Sequence, residues 1–132
     1  MILSKDMFVG MLLNTNPQVA ISKRPDGIPQ VETFWLLSCK NREDMFRNFA
    51  DEYSLKFGTS YRNGNKFIRI QDRTTLQILL KMIPQWIIDK DQRLGYFSKI
   101  MKIIRENRHL TQDGLDEIKL LKMEMMTKVK NK

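Results

Sequence analysis

The chain has 132 residues, room for one domain, and its 23 lysines and arginines against 15 acids leave a net charge of +8. That excess points to an acidic partner, nucleic acid before an anionic membrane surface. One cysteine, Cys39, excludes an internal disulfide, one histidine, His109, excludes a Cys/His zinc site, and apolar runs broken by Lys81, Pro84 and Gln85 speak against a membrane span.

Ser4 is placed to cap a helix through Met7, Phe8, Met11 and Leu12 that Pro17 stops. Residues 18–23 alternate, with Val19 and Ile21 on one side. Residues 24–29 are dense in turn formers, and 31–38 are rich in β-branched and aromatic side chains, so 18–38 reads as a hairpin. Asn41 is expected to cap a helix with Asp44 at its third position and Met45, Phe46, Phe49 and Tyr53 as its apolar stripe. A second hairpin covers 57–61 and 66–71 around Asn63-Gly64, a dipeptide suited to a turn in which both residues need positive φ. Helices follow over about 74–83, ended by Pro84, and about 94–106, with Phe97, Ile100, Met101 and Ile104 inward. Trp86, with Ile87 and Ile88, reads as a cap on the core. Thr111 caps the last helix, whose stripe is Leu115, Ile118, Leu121 and Met125. Two hairpins in tandem predict an α+β fold: a four-stranded antiparallel sheet with helices packed on one face. Residues 1–126 read as a single domain and 127–132 as a basic C-terminal tail.

The familiar catalytic motifs are absent: no Walker loop, dinucleotide fingerprint, His-Glu-x-x-His or nucleophile elbow occurs. The paired acids Glu43/Asp44, Asp51/Glu52 and Asp116/Glu117 fall on predicted helix exteriors and first turns, where they favour the helix dipole. No catalytic residue, metal ligand or cofactor is assigned from them.

The order αββαββα followed by helices, the stretch 96–104 and the segment Arg108-His109-Leu110-Thr111-Gln112-Asp113-Gly114-Leu115 resemble the LAGLIDADG homing-endonuclease family, in which a His-Leu-Thr-x-x-Gly-Leu turn links two helices. Asn65-Lys66-Phe67-Ile68-Arg69-Ile70 resembles its fourth strand. The family's motif helix aligns with Phe8-Val9-Gly10-Met11-Leu12-Leu13-Asn14-Thr15-Asn16. The resemblance makes Gly10 the small residue that lets two such helices pack, with Met7, Met11 and Asn14 on the same pairing face, and so implies a possible homodimer. It also puts Thr15 where the family carries its magnesium-binding aspartate. A hard divalent cation needs anionic oxygen ligands, so the expectation is a chain that does not cleave DNA.

The resemblance further implies that alternating strand residues lie along nucleic acid. These are Gln18, Ser22 and Arg24 on the first strand, and Tyr61, Arg62, Lys66, Arg69 and Gln71 on the second hairpin. Thr33 and Trp35 are favoured on the second strand, although 34–37 is apolar throughout and leaves the parity open. Trp35 is a base-stacking platform on one reading and a core residue on the other. Lys128 and Lys130 extend the basic surface. Thirteen isoleucines, nine methionines and two alanines suggest an AT-rich genome, and with the missing acid they favour a catalytically inactive protein docked on structured RNA over one on duplex DNA. The expected setting is an organellar ribosome or other ribonucleoprotein with neighbouring proteins, in a mitochondrion before a chloroplast. A homodimeric DNA-cleaving homing endonuclease, borrowing a carboxylate such as Asp26, and an intron-splicing maturase are the alternatives.

Overall fold

The computed structural model describes residues 2–40 and 42–130, the last three as backbone alone. Ser4 accepts the backbone N–H of Met7 at 3.1 Å and so starts helix α1, Lys5–Leu13. The chain continues as strands β1 (Gln18–Lys23) and β2 (Pro29–Ser38), helix α2 (Glu43–Tyr53), and strands β3 (Gly58–Arg62) and β4 (Asn65–Ile70). Helices α3 (Arg73–Met82), α4 (Gln85–Lys90), α5 (Gln92–Arg105) and α6 (Gln112–Lys130) follow, with a single 3₁₀ turn, Arg108–Leu110, ahead of α6. Among the described residues the strands make a four-stranded antiparallel sheet in the order β1-β2-β4-β3, the α+β architecture expected. The cap assigned to Asn41 lies outside the described residues.

Two elements were not anticipated. The α4 helix has six residues, too few for a helical apolar period to show, and Pro84 before it masks the start. The 3₁₀ turn has only three residues. Trp86 does not cap the core: it stands 63% exposed on α4, with the Lys90 ammonium 5.6 Å from its ring centre. No helix among the described residues is long and apolar enough to cross a membrane.

The chain divides into two compact units, Met1–Pro17 with Thr33–Ile83, and Gln18–Glu32 with Pro84–Lys132. In the first, Trp35, Leu37, Ile68 and Ile70 of the sheet are buried, as are Phe8 and Leu12 of α1, Phe46 and Phe49 of α2, and Leu76 and Leu79 of α3. The Phe8 and Phe49 rings lie 4.5 Å apart and tilted, which ties α1 to α2. Asp72 caps α3 by accepting both the backbone N–H and the hydroxyl of Thr75 at 2.9 Å, and Thr75 Oγ1 accepts the N–H of Lys56 at 2.9 Å. These bonds hold the Asp72 carboxyl below the usual aspartate range, the backbone N–H of Thr75 contributing most.

In the second unit Leu94, Phe97, Ile100, Met101 and Ile104 of α5 are buried, and so are Leu115, Ile118, Leu121 and Met125 of α6. Thr111 accepts the N–H of Gly114 at 3.1 Å and starts α6. A Cβ on Gly114 would lie 1.8 Å from the carbonyl oxygen of Arg108, so the connection between α5 and α6 admits only glycine there.

Candidate nucleic-acid interface

The Asn63-Gly64 turn decides which residues of the first unit share a face. Both take positive φ, 52° and 80°, as a two-residue turn of this type requires. Arg62 then pairs with Asn65, Tyr61 with Lys66, Ser60 with Phe67 and Gly58 with Arg69. On β2, Leu36 pairs with Arg69 and Ser38 with Phe67, while Trp35 and Leu37 pair with Ile70 and Ile68. Directly opposed residues project to the same side of a sheet. One side therefore carries Ser60, Arg62, Asn65 and Arg69 with Leu36; the other carries Tyr61, Lys66 and Trp35 with the buried isoleucines.

On the Arg69 side the guanidinium lies 4.0 Å from the centre of the Phe34 ring, and its Nε donates to Gln71 Oε1 at 2.7 Å. The Phe34 ring on one side and the Gln71 amide on another hold this long side chain in place. Ordering it in advance reduces the rotamer freedom lost when a ligand binds. Arg62 and Asn65, exposed at the hairpin end, add a second guanidinium and a carboxamide. Phe34 and Asn65 were missed in the sequence; the pairing dictated by a two-residue turn was the signal that could have found Asn65.

Four residues assigned to the binding face sit on the other side of the sheet. Thr33 and Trp35 are on the core side, and Trp35 is fully buried, its indole N–H donating to Thr15 Oγ1 at 2.7 Å. Burial of the largest apolar side chain in the run 34–37 sets the parity that alternation left open. Lys66 turns toward α2 and its ammonium bonds Glu43, which also accepts from Arg47 at 2.5 Å. Hydrogen bonds from Lys66 and then Arg47 hold the Glu43 carboxyl below the usual glutamate range, and the bond from Glu43 raises Lys66. Tyr61 projects to the same side as Lys66 but stands beyond the core, 69% exposed.

In the second unit, Gln18 and Ser22 are exposed on one side of β1. Arg24 follows the strand and pairs with Asp26 at 3.2 Å, while Asp26 accepts the N–H of Ile28 at 3.1 Å. Asp26 therefore stabilises the turn between β1 and β2. Lys128 and Lys130 lie on the final turns of α6, where side chains are not described.

Met7, Gly10 and Met11 of α1 and its C-cap Asn14 recur at helical spacing beside the buried Phe8 and Leu12; Met7 is 48% exposed, Asn14 is exposed, and Gly10 and Met11 are half-buried. A Cβ on Gly10 would meet no atom within 4 Å. Beyond the C-terminal end of α1, Thr15 Oγ1 donates to the carbonyl of Leu12 at 3.2 Å while accepting from Trp35. This neutral oxygen, engaged on both sides, does not fit the ligand set of a magnesium ion, and no three His, Cys, Asp or Glu side chains converge elsewhere among the described residues.

No family model and no curated protein matches the chain. Solved structures do. The homing endonuclease I-TnaI aligns at a TM-score of 0.73 and 20% identity over 95% of this chain and 89% of its own. The archaeal intron-encoded homing endonuclease I-Vdi141I, solved with DNA, aligns at 0.74 and 16% over 93% and 82%. I-SmaMI bound to an uncleaved DNA target with calcium aligns at 0.69 and 20% over 91% of this chain but only 44% of its own. The chain has the LAGLIDADG homing-endonuclease fold. The expectation of a non-enzyme, drawn from Thr15, is corrected by these likenesses, since the structures that share the fold are DNA-cleaving endonucleases.

Proposed function

We propose that two copies of this chain pair through α1 and bind double-stranded DNA along the Arg69 side of the sheet, in the manner of a homing endonuclease. The observation that carries this reading is the extent of the likeness: the fold accounts for nearly all of I-TnaI but under half of I-SmaMI. One copy thus corresponds to a half-unit, and a second copy supplies the other half. The strip of exposed Met7 and Asn14 with half-buried Gly10 and Met11 is the surface for that pairing, since a Cβ on Gly10 would meet nothing within 4 Å among the described residues and a second helix can approach there. Arg62 and Arg69 offer the donors that phosphates and guanine edges accept.

Cleavage by such a pair would draw its carboxylates from outside the C-terminal end of α1, because Thr15 provides none. The test is retention of a duplex library at 150 mM salt with magnesium, followed by sequencing of bound and cut ends. Enrichment of one duplex sequence over structured RNA supports the reading; retention of RNA alone overturns it.

Tyr61 favours a second reading. Exposed on the side of the sheet opposite Arg62, its ring suits stacking on an unpaired base, which structured RNA presents more readily than a duplex. On this reading the ligand is ribosomal or intron RNA in an organelle, the mitochondrion first, within a larger ribonucleoprotein. Loss of RNA retention in Tyr61→Ala, with duplex binding unchanged, would select it.

A further inference from the structure

The second unit holds a cleft of about 440 Å³ lined by Ile21, Ser22 and Lys23 of β1, Pro29 of β2, and Lys119 and Lys122 of α6. Half of its lining residues are lysines and none is acidic. Lys119 and Lys122 are three apart and so neighbours on one helix face. Neither has an acid four residues away: Leu115 and Met123 flank Lys119, and Ile118 and Met126 flank Lys122. Of the nearby acids of α6, Asp116, three residues before Lys119, accepts from the Gln112 amide at 2.8 Å and is not ion-paired with Lys119, and Glu117 is paired with Arg108 at 2.5 Å. Among the described residues no hydrogen bond or ion pair engages the side chains of Lys23, Lys119 or Lys122.

Three ammonium groups, none of them hydrogen-bonded or ion-paired among the described residues, repel one another around one concavity, and a cleft lined by one sign of charge concentrates counter-ions of the other. Lysine is a compact point charge without the planar fork of arginine, so such a set answers to phosphate charge and not to base identity. Ile21 and Pro29 add an apolar lining suited to the carbon face of a sugar.

We propose that this cleft is a second phosphate site, separate from the Arg69 side, which takes the phosphodiester backbone of a nucleic-acid strand. It extends the reading above without sharing a residue with it. The source of the phosphate separates a strand from the free ion, and the experiment covers both.

The full chain, with ¹³C-labelled lysine side chains, is titrated with inorganic phosphate, with duplex DNA and with structured RNA. In parallel, the salt dependence of strand binding is compared with that of the double variant Lys119→Gln, Lys122→Gln, whose fold is checked by circular dichroism. The expected result is movement of the Lys23, Lys119 and Lys122 signals on strand addition. The variant should lower the slope of log K against log salt by roughly 1–2 while preserving sequence preference. A strand that binds with an unchanged slope and unmoved lysines overturns the proposal and leaves the Arg69 side intact. If neither nucleic acid binds but phosphate shifts the three lysines, the cleft takes the free ion only, and both the strand proposal and the proposed function fail. If nothing moves them, both fail.

Discussion

The two hairpins of this molecule differ in how firmly their turns set the strand faces. Between β3 and β4 the turn is two residues, Asn63 and Gly64, and every later pairing follows from it. Between β1 and β2 the turn is longer, closed by the N–H of Arg24 on the carbonyl of Ile28 at 2.9 Å and stiffened by Asp26 and by Gly27 at φ 84°. A short turn specifies register outright; a long one leaves β2 to be oriented by what it buries. That is why Trp35 lies in the core and Arg69 on the outer side, although both were expected on one surface.

Trp35→Ala should destabilise the chain by about 3–5 kcal/mol in urea unfolding, as loss of a fully buried indole does. If Trp35 stacked on bases instead, stability would hold and binding alone would fall. Removing its partner, in Thr15→Val, should lower stability by about 1–3 kcal/mol, the range for depriving a buried donor of its acceptor. Arg69→Ala should leave the midpoint of unfolding nearly unchanged while weakening DNA binding by about 1–3 kcal/mol, roughly 5- to 150-fold, read by fluorescence anisotropy.

The turns themselves give a finer test. Gly64→Ala and Gly27→Ala each force a Cβ into the left-handed region, at about 1–2 kcal/mol. Only the first should also impair DNA binding, because Arg62 and Arg69 share a face through that turn. The smallest effect concerns Lys66. Glu43 has its folded pKa depressed, so its stabilisation is present above the usual glutamate range and is lost as pH falls through the lowered value. Lys66 is raised, and its share is lost only as pH rises through the raised value. Glu43→Gln should therefore flatten the melting temperature at both extremes of a pH series.

Much of this was legible in the residues. Ser4, Thr111 and the Asn63-Gly64 turn announced their elements because each has a local mechanism. The family segment that contains Gly114 is readable as well, and the structure supplies the reason for its glycine in the carbonyl of Arg108. What the residues hid was the parity of 34–37, where both sides are apolar, and the short α4, which left Trp86 assigned inward. The faces of Tyr61 and Lys66 were not hidden: a two-residue turn pairs them with each other and sets both apart from Arg69. The lysine cleft was beyond reach, since Lys23 and Lys119 meet only in the fold.

Pairing through α1 is the premise on which binding of a whole duplex site depends. Gly10 weakens an isolated helix by about 0.5–1 kcal/mol relative to alanine, and among the described residues a Cβ there would meet nothing within 4 Å. The decisive measurement is sedimentation equilibrium of the wild-type chain and Gly10→Ala on one duplex. The prediction is two wild-type chains per duplex, and a variant that melts higher yet no longer pairs. One wild-type chain per duplex, or a variant that pairs as well as the wild type, would contradict it.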